Sequence, residues 1–452
     1  MFNPKKFAIS DYLNKSFSCT CGKIHSVPIK HIIIGEDALL KLPEIIESNG
    51  SKKSFILYDS TTYPIAGPII EEQFRACNYP FVHYILKDTQ PVPDERTLGE
   101  AFIHYDSSCD FIIAVGSGTI NDLSRFISFK LNLPYMIIAT APSMDGFASN
   151  VTPLIVNHMK TTYEAQVPYA ILGDIKFMKK APMAMIAAGI GDILGKYTCL
   201  CDWEIAHLIT GEYHCDALVA LVNQSLETVS QNIDLVNKKA PTALQGIMEA
   251  LVLSGIAMSF AGNSRPASGS EHHLSHYWEM MFLFQGKPPV LHGTKVGIGT
   301  IAVIKAYELL IEKEIDFKAA ADHALTFSYE DWTMQMEQKY YDASGSVIAL
   351  EKEIGKNQPE KVLSRLKLTE EKWKCIKEIA GRLPTADSIR NILLSLNAPA
   401  DPMTVGIDRE TFINSFVAAK ELRNRYGLLQ ILFDLGLSEE IAEKVWDYFQ
   451  AN

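Results

Sequence analysis

Short β-branched and aliphatic runs punctuate the first 180 residues: KHIIIG (30–35), KSFILYD (53–59), YPFVHYIL (79–86), DFIIAVG (110–116) and YMIIAT (135–140). Continuous apolar runs of this length suit strands covered on both faces, as in a parallel sheet; a half-exposed strand would alternate instead. Helical spacing fills the gaps, in DALLKLPEIIES (37–48), PIAGPIIEEQFRACN (64–78) and DERTLGEAFIHYD (94–106). Alternation of this kind predicts a doubly wound sheet rather than a barrel or bundle. The stretch VTPLIVNHMKTTYEAQVPYAILGD (151–174) reads as an antiparallel hairpin turning at NHMK. From about residue 182 helical spacing takes over, in HCDALVALVNQSLETVSQNIDLV (214–236), PEKVLSRLKL (359–368) and RETFINSFVAAKELRNRYGLLQILFDL (409–435). The pattern therefore predicts an α/β domain over 1–180 and an all-helical domain over 181–452, with no internal repeat.

Charge narrows the classes of partner. With 42 Lys+Arg against 53 Asp+Glu the net charge is −11, which disfavours a general nucleic-acid or anionic-membrane binder but allows a local anion pocket. The apolar stretches MAMIAAGIGDIL (183–194) and ALVLSGIAMSF (250–260) are short or broken by Gly, Ser and Asp, so no membrane insertion is expected. The N-terminal residues lack the apolar core of a signal peptide, and eight cysteines are too sparse for a disulfide scaffold. A cytoplasmic protein is expected. The group Cys19, Cys21 and His25 in CTCGKIH offers three soft ligands in seven residues. It lacks the usual zinc-finger spacing and a second pair, and reads as a tight turn. Cys199 and Cys201 read as packing residues on a helix.

Three stretches carry candidate chemistry. DFIIAVGSGTINDLSRF (110–126) reads as strand, glycine turn and helix, in which Gly116 and Gly118 allow close backbone approach and the helix start offers N–H groups to a phosphate. Position 121 is Asn, so the full GxGxxG fingerprint is not met, and an ordinary βα turn stays open. Asp59 ends the second of these strands, where it would either accept from a ribose, favouring NAD over NADP, or cap the next helix. In ATAPSMDGFASN (139–150), Thr140, Ser143 and Ser149 offer hydroxyls at a strand's carboxyl end; the plainer reading is a polar loop. GNSRPASGSEHHLSHYWEMM (262–281) puts His272 and His276 four apart on one helical face, and His292 follows in PVLHGTKVGIGT (289–300). Asp192 sits in the apolar AAGIGDILGKY (187–197), where a buried carboxylate needs a partner. Two imidazoles and a carboxylate from separate helices form a three-ligand set for a catalytic divalent metal, although each His alone also suits a structural role.

In this order, GSGTINDLSRF, TAPSMDGF, GIGDILGKY, SRPASGSEHHLSHYWE and LHGTKVGIGT resemble the sn-glycerol-1-phosphate dehydrogenase family. That family belongs to the iron-alcohol-dehydrogenase, glycerol-dehydrogenase and dehydroquinate-synthase superfamily. The motifs span roughly residues 20 to 300, with a later echo over 405–437. The resemblance implies a dehydroquinate-synthase-like fold, with an N-terminal Rossmann-like domain, a helical C-terminal domain and an active site in the cleft between them. It assigns one divalent metal to Asp192, His272 and His292, and leaves His276 facing substrate. His273 lies about 100° around the helix from His272. Cofactor contacts fall on Gly116, Ser117, Gly118, Thr119 and Ile120, then Thr140, Ser143 and Ser149. Asp145 becomes a substrate-binding carboxylate, and His276, Asp145 and Asp192 the catalytic set.

Some positions depart from the family. The glycine turn is GSG where relatives often have GGG followed by a basic helix residue; here Arg125 lies on the following helix. Lys196 stands where iron-dependent relatives carry a fourth ligand His, which favours zinc or nickel. Gly427 follows RNRY where relatives tend to have Thr.

The expected reaction is reversible, NAD(P)H-dependent reduction of dihydroxyacetone phosphate to sn-glycerol 1-phosphate. Arg265 is a candidate for the substrate phosphate, with a surface or capping role as the alternative. Polyol oxidation of the glycerol-dehydrogenase type, a dehydroquinate-synthase-like lyase or cyclase, and a binding protein without turnover are the rivals. NADH against NADPH, zinc against nickel, and the pathway using the product stay open. A homo-oligomer is expected.

Overall fold

The computed structural model describes residues 9–156 and 159–451. The chain divides into two compact units. The first runs to Ile193 and includes Cys215–Ser264; the second comprises Leu194–His214 and the chain from Arg265. This division differs from a cut after residue 180, because residues 215–264, a pair of helices from the middle of the chain, belong with the sheet.

The first unit contains β1 (Ser16–Ser18), β2 (Ile24–Ser26), β3 (His31–Gly35), α1 (Leu42–Asn49), β4 (Ser54–Asp59), α2 (Thr62–Ala76), β5 (Phe81–Leu86), α3 (Glu95–Ile103), β6 (Phe111–Gly116), α4 (Gly118–Leu131), β7 (Tyr135–Ala139), β8 (Val151–Val156), β9 (Met159–Glu164), β10 (Ala170–Asp174), α5 (Ile175–Met178) and α6 (Met183–Leu194). Six strands form one parallel sheet in the order β3-β10-β7-β6-β4-β5. The five apolar runs expected as strands all lie in it. Strands β4, β6 and β7 are buried along nearly their whole length, as unbroken apolar runs demand. On one face Ile56, Tyr58, Ile113, Val115, Met136 and Ile138 pack against Leu42 and Ile46 of α1 and Ile70 and Phe74 of α2.

The stretch 151–174 departs from the single hairpin expected. β8 and β9 do form one, and Asn157 and His158 of its expected turn lie outside the described residues. β10 instead enters the large sheet between β3 and β7. Burial explains the split: AILGD is buried at every position, whereas VTPLIV keeps several partly exposed positions.

After α7 (Lys196–Thr210) come α8 (Asp216–Val236) and α9 (Pro241–Ala261), an antiparallel pair belonging to the first unit. α9 is buried on nearly all sides and brings Met248 to 3.3 Å from the Cβ position of Gly173 in β10. Two helical stretches, 183–210 and 241–261, are long and apolar enough to span a membrane; 83% of each apolar window is buried within the fold, as in core helices. The second unit is helical, built from α7, α10 (Ser270–Phe284), α11 (His292–Glu312) and the helices between residues 317 and 451. The helical pattern read over 409–435 breaks after Leu422: Arg423 is extended and a new helix starts at Leu428.

The sheet reverses its order of winding between β4 and β6, which are neighbours. Open α/β sheets bind ligands at the carboxyl ends of strands at such a switch point. Residues 141–149 pass over this region and are pressed against α6 and α9. A Cβ at Gly189 would lie 2.0 Å from the Pro142 carbonyl oxygen, and one at Gly255 would lie 2.9 Å from Ala148 Cβ. Gly189→Ala is therefore expected to destabilise the protein by about 1–3 kcal/mol, as overpacking does. Gly345→Ala, where nothing lies within 4 Å, should be neutral or slightly stabilising. Denaturant melts of the two variants check the contrast.

Candidate active site

At the switch point, β6 delivers the glycine turn. A Cβ at Gly116 would sit 2.8 Å from the Ile120 side chain, so only glycine lets α4 start this close to the strand. Gly118 opens α4, whose first N–H groups have no intrahelical acceptor and point along the positive end of the helix dipole. The end of β7 locks onto this turn. Thr140 N–H donates to the Gly116 carbonyl at 2.9 Å, and Ser117 hydrogen-bonds Ser143 and, at 3.3 Å, the Ala141 carbonyl. Gly116, Ser117, Gly118, Thr140 and Ser143 are thus brought together. Ser149 is used locally, donating to the Val151 carbonyl at 3.1 Å and accepting its N–H at 3.1 Å.

Asp59 ends β4, next to β6, and performs the capping alternative. Its Oδ1 accepts from Thr61 N–H at 2.8 Å and Thr62 N–H at 2.7 Å at the start of α2. Arg125 is fully buried: it donates to Tyr135 Oη at 2.8 Å, to the Val151 carbonyl at 2.9 Å and to the Gly146 carbonyl, and pairs with Asp122 at 3.0 Å. It braces residues 146–151 and does not stand in for the family's basic helix residue.

Asp145 and Asp192, both expected as catalytic carboxylates, meet. Asp192 is fully buried near the end of α6, and its Oδ2 accepts Asp145 N–H at 2.9 Å. Asp145 Oδ2 in turn accepts from Ser254 of α9 at 2.8 Å. A buried carboxylate needs such donors, and Ser254 is one that the sequence did not flag.

In the second unit, three imidazoles converge. The ring centroids of His272 and His292 are 5.3 Å apart, those of His272 and His276 6.1 Å, and those of His276 and His292 5.6 Å. α10 places the first two one turn apart; α11 begins at His292. The helices approach closely because a Cβ at Gly299 would lie 2.7 Å from the Glu271 carbonyl oxygen. His276, Glu279 and His292 each offer a ligand atom within 4.8 Å of the others. Glu279, three residues after His276, is a further candidate that helical spacing would have found.

Behind His272 stands Glu271, fully buried. Its Oε1 lies 2.7 Å from His272 Nδ1 and accepts Gly269 N–H at 2.7 Å, while Oε2 accepts from Thr198 at 2.6 Å. Burial pushes the Glu271 carboxyl up, but the bonds from His272, Thr198 and Gly269 outweigh it and hold it below the usual range. A carboxylate on Nδ1 fixes the imidazole's orientation and presents Nε2, the outer arrangement common around metal-ligating histidines. His273 points elsewhere, as the 100° step predicts. It lines a small cavity with Arg265, Lys420 and Arg425, and burial together with those guanidiniums holds it well below its usual range. Lys196 is fully buried and donates to the Ala267 carbonyl at 3.0 Å.

Asp202, which the sequence reading did not single out, ties the helix starts together. Its Oδ2 accepts Ser270 N–H at 2.7 Å, and its Oδ1 accepts from Tyr307 at 2.6 Å and Leu428 N–H at 3.0 Å. This explains Gly427, because a Cβ there would lie 2.6 Å from Asp202 Oδ2. The two buried cysteines of α7 pack as expected, their thiols pushed well above the ordinary range by burial.

These motifs have close counterparts. The family model for iron-containing alcohol dehydrogenase matches residues 33–182. A glycerol-1-phosphate dehydrogenase [NAD(P)+] from Geobacillus stearothermophilus is 33% identical over 435 residues, covering 94% of this chain and 98% of that relative. The chain belongs to the glycerol-1-phosphate dehydrogenase family. A family member from Bacillus licheniformis is 38% identical over 324 residues, covering 71% of this chain and 80% of its own. Among solved structures, a 1,3-propanediol oxidoreductase superposes with a TM-score of 0.62 at 16% identity, covering 93% of this chain and 98% of its own; it shares the fold.

Within this family member, Arg265 is neither at the surface nor a simple cap but is tied inside the fold. It is 2% exposed, pairs with both oxygens of Glu212 at 2.9 Å, and donates to the Tyr426 carbonyl. A guanidinium so engaged joins the end of α7 to the segment before Leu428, and its donors are directed into the fold. Arg265→Ala is expected to cost about 2 kcal/mol by stranding Glu212 and a buried carbonyl. Arg265→Lys should recover only part, because an ammonium cannot reproduce the two-pronged pair. Melting curves measure both, and the KM ratio of phosphorylated to unphosphorylated substrate should stay unchanged in Arg265→Lys.

Proposed function

We propose that the chain reduces dihydroxyacetone phosphate to sn-glycerol 1-phosphate, reversibly, using a nicotinamide dinucleotide and one divalent cation. The observation that carries this reading is the convergence of His272, His276 and His292 in front of the buried Glu271 carboxylate. Relatives bearing the name glycerol-1-phosphate dehydrogenase [NAD(P)+] support the reaction.

The donor set fits a borderline-soft divalent ion: imidazole nitrogens, one with a carboxylate behind it. His272 and His292 would hold the ion, and the family resemblance adds Asp192 as the carboxylate ligand. We assign zinc or nickel rather than iron, because the buried Lys196 ammonium occupies the place of the iron enzymes' fourth histidine and is held by a carbonyl. The glycine turn likewise fits a pyrophosphate. Gly116, Ser117, Gly118, Thr119 and Ile120 would receive it at the start of α4, with Thr140 and Ser143 beside it and Ser149 further along the loop. Asp59 is already engaged at the helix start as the cap of α2.

When bound, the cation polarises the substrate carbonyl and the nicotinamide supplies hydride to C2. The chain's own residues do the rest. Asp145, held by Ser254, accepts a hydrogen bond from a substrate hydroxyl and orients it. His276 delivers a proton to the C2 oxygen as its charge develops, and recovers it from solvent through its partly exposed ring. The thiols and the acidic surface suit a cytoplasmic setting.

NADH oxidation with dihydroxyacetone phosphate, followed by chiral analysis of the product, tests the reading. Glycerol outperforming glycerol 1-phosphate as hydride donor would overturn it. Dialysis against a chelator should abolish turnover, and zinc or nickel should restore it. His272→Ala is expected to lose the ion, measured by elemental analysis. His276→Ala should retain it while kcat falls by roughly 10²–10⁴-fold, the usual weight of a general acid.

A further inference from the structure

We propose that Cys19, Cys21, His25 and Cys215 bind a structural zinc ion, separate from the cation of the candidate active site. The motif CTCGKIH lacks a second ligand pair in its own neighbourhood; the fold supplies the fourth ligand from the start of α8. One ligand atom from each of the four residues lies within 4.8 Å of all the others. Cys19 Sγ and Cys215 Sγ are 3.6 Å apart, Cys21 Sγ and His25 Nε2 3.4 Å, and Cys215 Sγ and His25 Nε2 3.6 Å. Zinc bonds of about 2.3 Å to sulfur and 2.0–2.1 Å to nitrogen, arranged tetrahedrally, set edges of about 3.5–3.8 Å. Two of the observed separations, both 3.6 Å, fall on those edges and the third, 3.4 Å, lies just below them; three cysteines with one histidine are a recognised closed, structural ligand set.

Each ligand is presented for this purpose. The turn between β1 and β2 is closed by Cys19 N–H to the Lys23 carbonyl at 3.0 Å and Gly22 N–H to the Cys19 carbonyl at 3.1 Å. Gly22 has φ +83°, a conformation that lets the turn bring Cys19, Cys21 and His25 to one side. His25 is fully buried, and its Nδ1 lies 3.0 Å from the Phe260 carbonyl oxygen. A carbonyl only accepts, so the proton sits on Nδ1 and the Nε2 lone pair faces the sulfurs. That is the outer hydrogen bond that fixes a zinc-bound imidazole. The His25 ring stacks on Phe260 at 5.6 Å, and Tyr12 and Phe17 close edge-on around Phe260, giving an apolar wall. Cys215 is the residue preceding the first turn of the 21-residue α8, which fixes its backbone position.

On binding, the three thiols lose their protons to solvent and the sulfurs become ligands; nothing is oxidised. The ion fastens the β1–β2 hairpin to the start of α8 and, through His25, to the end of α9. It closes loops of 190 and 196 residues, so its removal frees a long segment of the unfolded chain and lowers stability.

Elemental analysis of the full-length protein, expressed without added metal, decides the matter. Wild type and His272→Ala should each retain one zinc that Cys215→Ser and the double variant Cys19→Ser/Cys21→Ser lose, and His25→Cys should keep it. Cobalt-substituted His272→Ala should show thiolate-to-cobalt charge transfer that Cys215→Ser abolishes. Should the cysteine variants fail to fold, a mercurial titration of a folded Cys77→Ser/Cys375→Ser protein should release one zinc as three thiols react. Zinc content that does not depend on these cysteines overturns the proposal, as does a Cys19–Cys215 disulfide found in the protein as isolated. Loss of dehydrogenase activity alone bears on neither result, so failure here is distinguishable from failure of the proposed reaction.

Discussion

A carboxylate taken out of water must have its oxygens met by donors, and this requirement positions the functional groups in both units. Asp202 of α7 and Glu271 of α10 are both buried at the start of the histidine helix: one binds the N–H of Ser270, the other that of Gly269 and the ring of His272. Their mutual repulsion is visible in Asp202, whose carboxyl burial and the nearby Glu271 charge push above the usual range despite bonds from Ser270 and Tyr307. Moving either carboxylate would strand the start of α10, and with it His272. In the first unit the same logic links Asp192 to the Asp145 N–H, and Asp145 to Ser254.

Glycine is the second half of that constraint, since donors reach buried carboxylates only where backbones come close. Gly269 has Cys199 Cα, Asp202 Oδ2 and Glu271 Oε2 within 3 Å of its Cβ position, and Gly427 has Asp202. Gly299 lets α11 touch the Glu271 carbonyl, which sets how near His292 comes to His272. The small residues of SGSEHH and KVGIGT are thus spatial requirements of the imidazole cluster rather than flexible hinges.

Local pattern made much of this legible in the sequence. The five apolar runs became parallel strands because burial on both faces is written into each run, and the spacing of His272 and His276 needed only the helical repeat. Wherever the outcome depended on a distant partner, local pattern was silent. β10 was read into the hairpin because its neighbours in the sheet, β3 and β7, lie far away in the chain. Arg265 looked like a phosphate ligand because Glu212 and the Tyr426 carbonyl, which occupy it, are 53 and 161 residues away. Gly427 acquired a reason only when Asp202 was found beside it. CTCGKIH read as a turn, which it is, while Cys215 joins it across 196 residues.

The fate of the cations sharpens how an acidic chain can handle anions. Arg125, Arg265 and Lys196 are each buried and donate to backbone carbonyls or paired carboxylates, so they brace loops and helix ends. With these three committed to the fold, the proposed reading draws positive potential for a dinucleotide and a phosphorylated substrate from the start of α4 and from an ion among the imidazoles. Such sources are fixed dipoles and a bound charge, which need no reorganisation when the anion arrives. Side-chain counts do not report them, because a helix start adds no Lys or Arg to the total. A net charge of −11 and an anion-handling active site are therefore compatible, provided that the backbone is held rigidly enough to aim its N–H groups. The interlocked Ser117, Thr140 and Ser143 supply that rigidity at the one turn where it is needed.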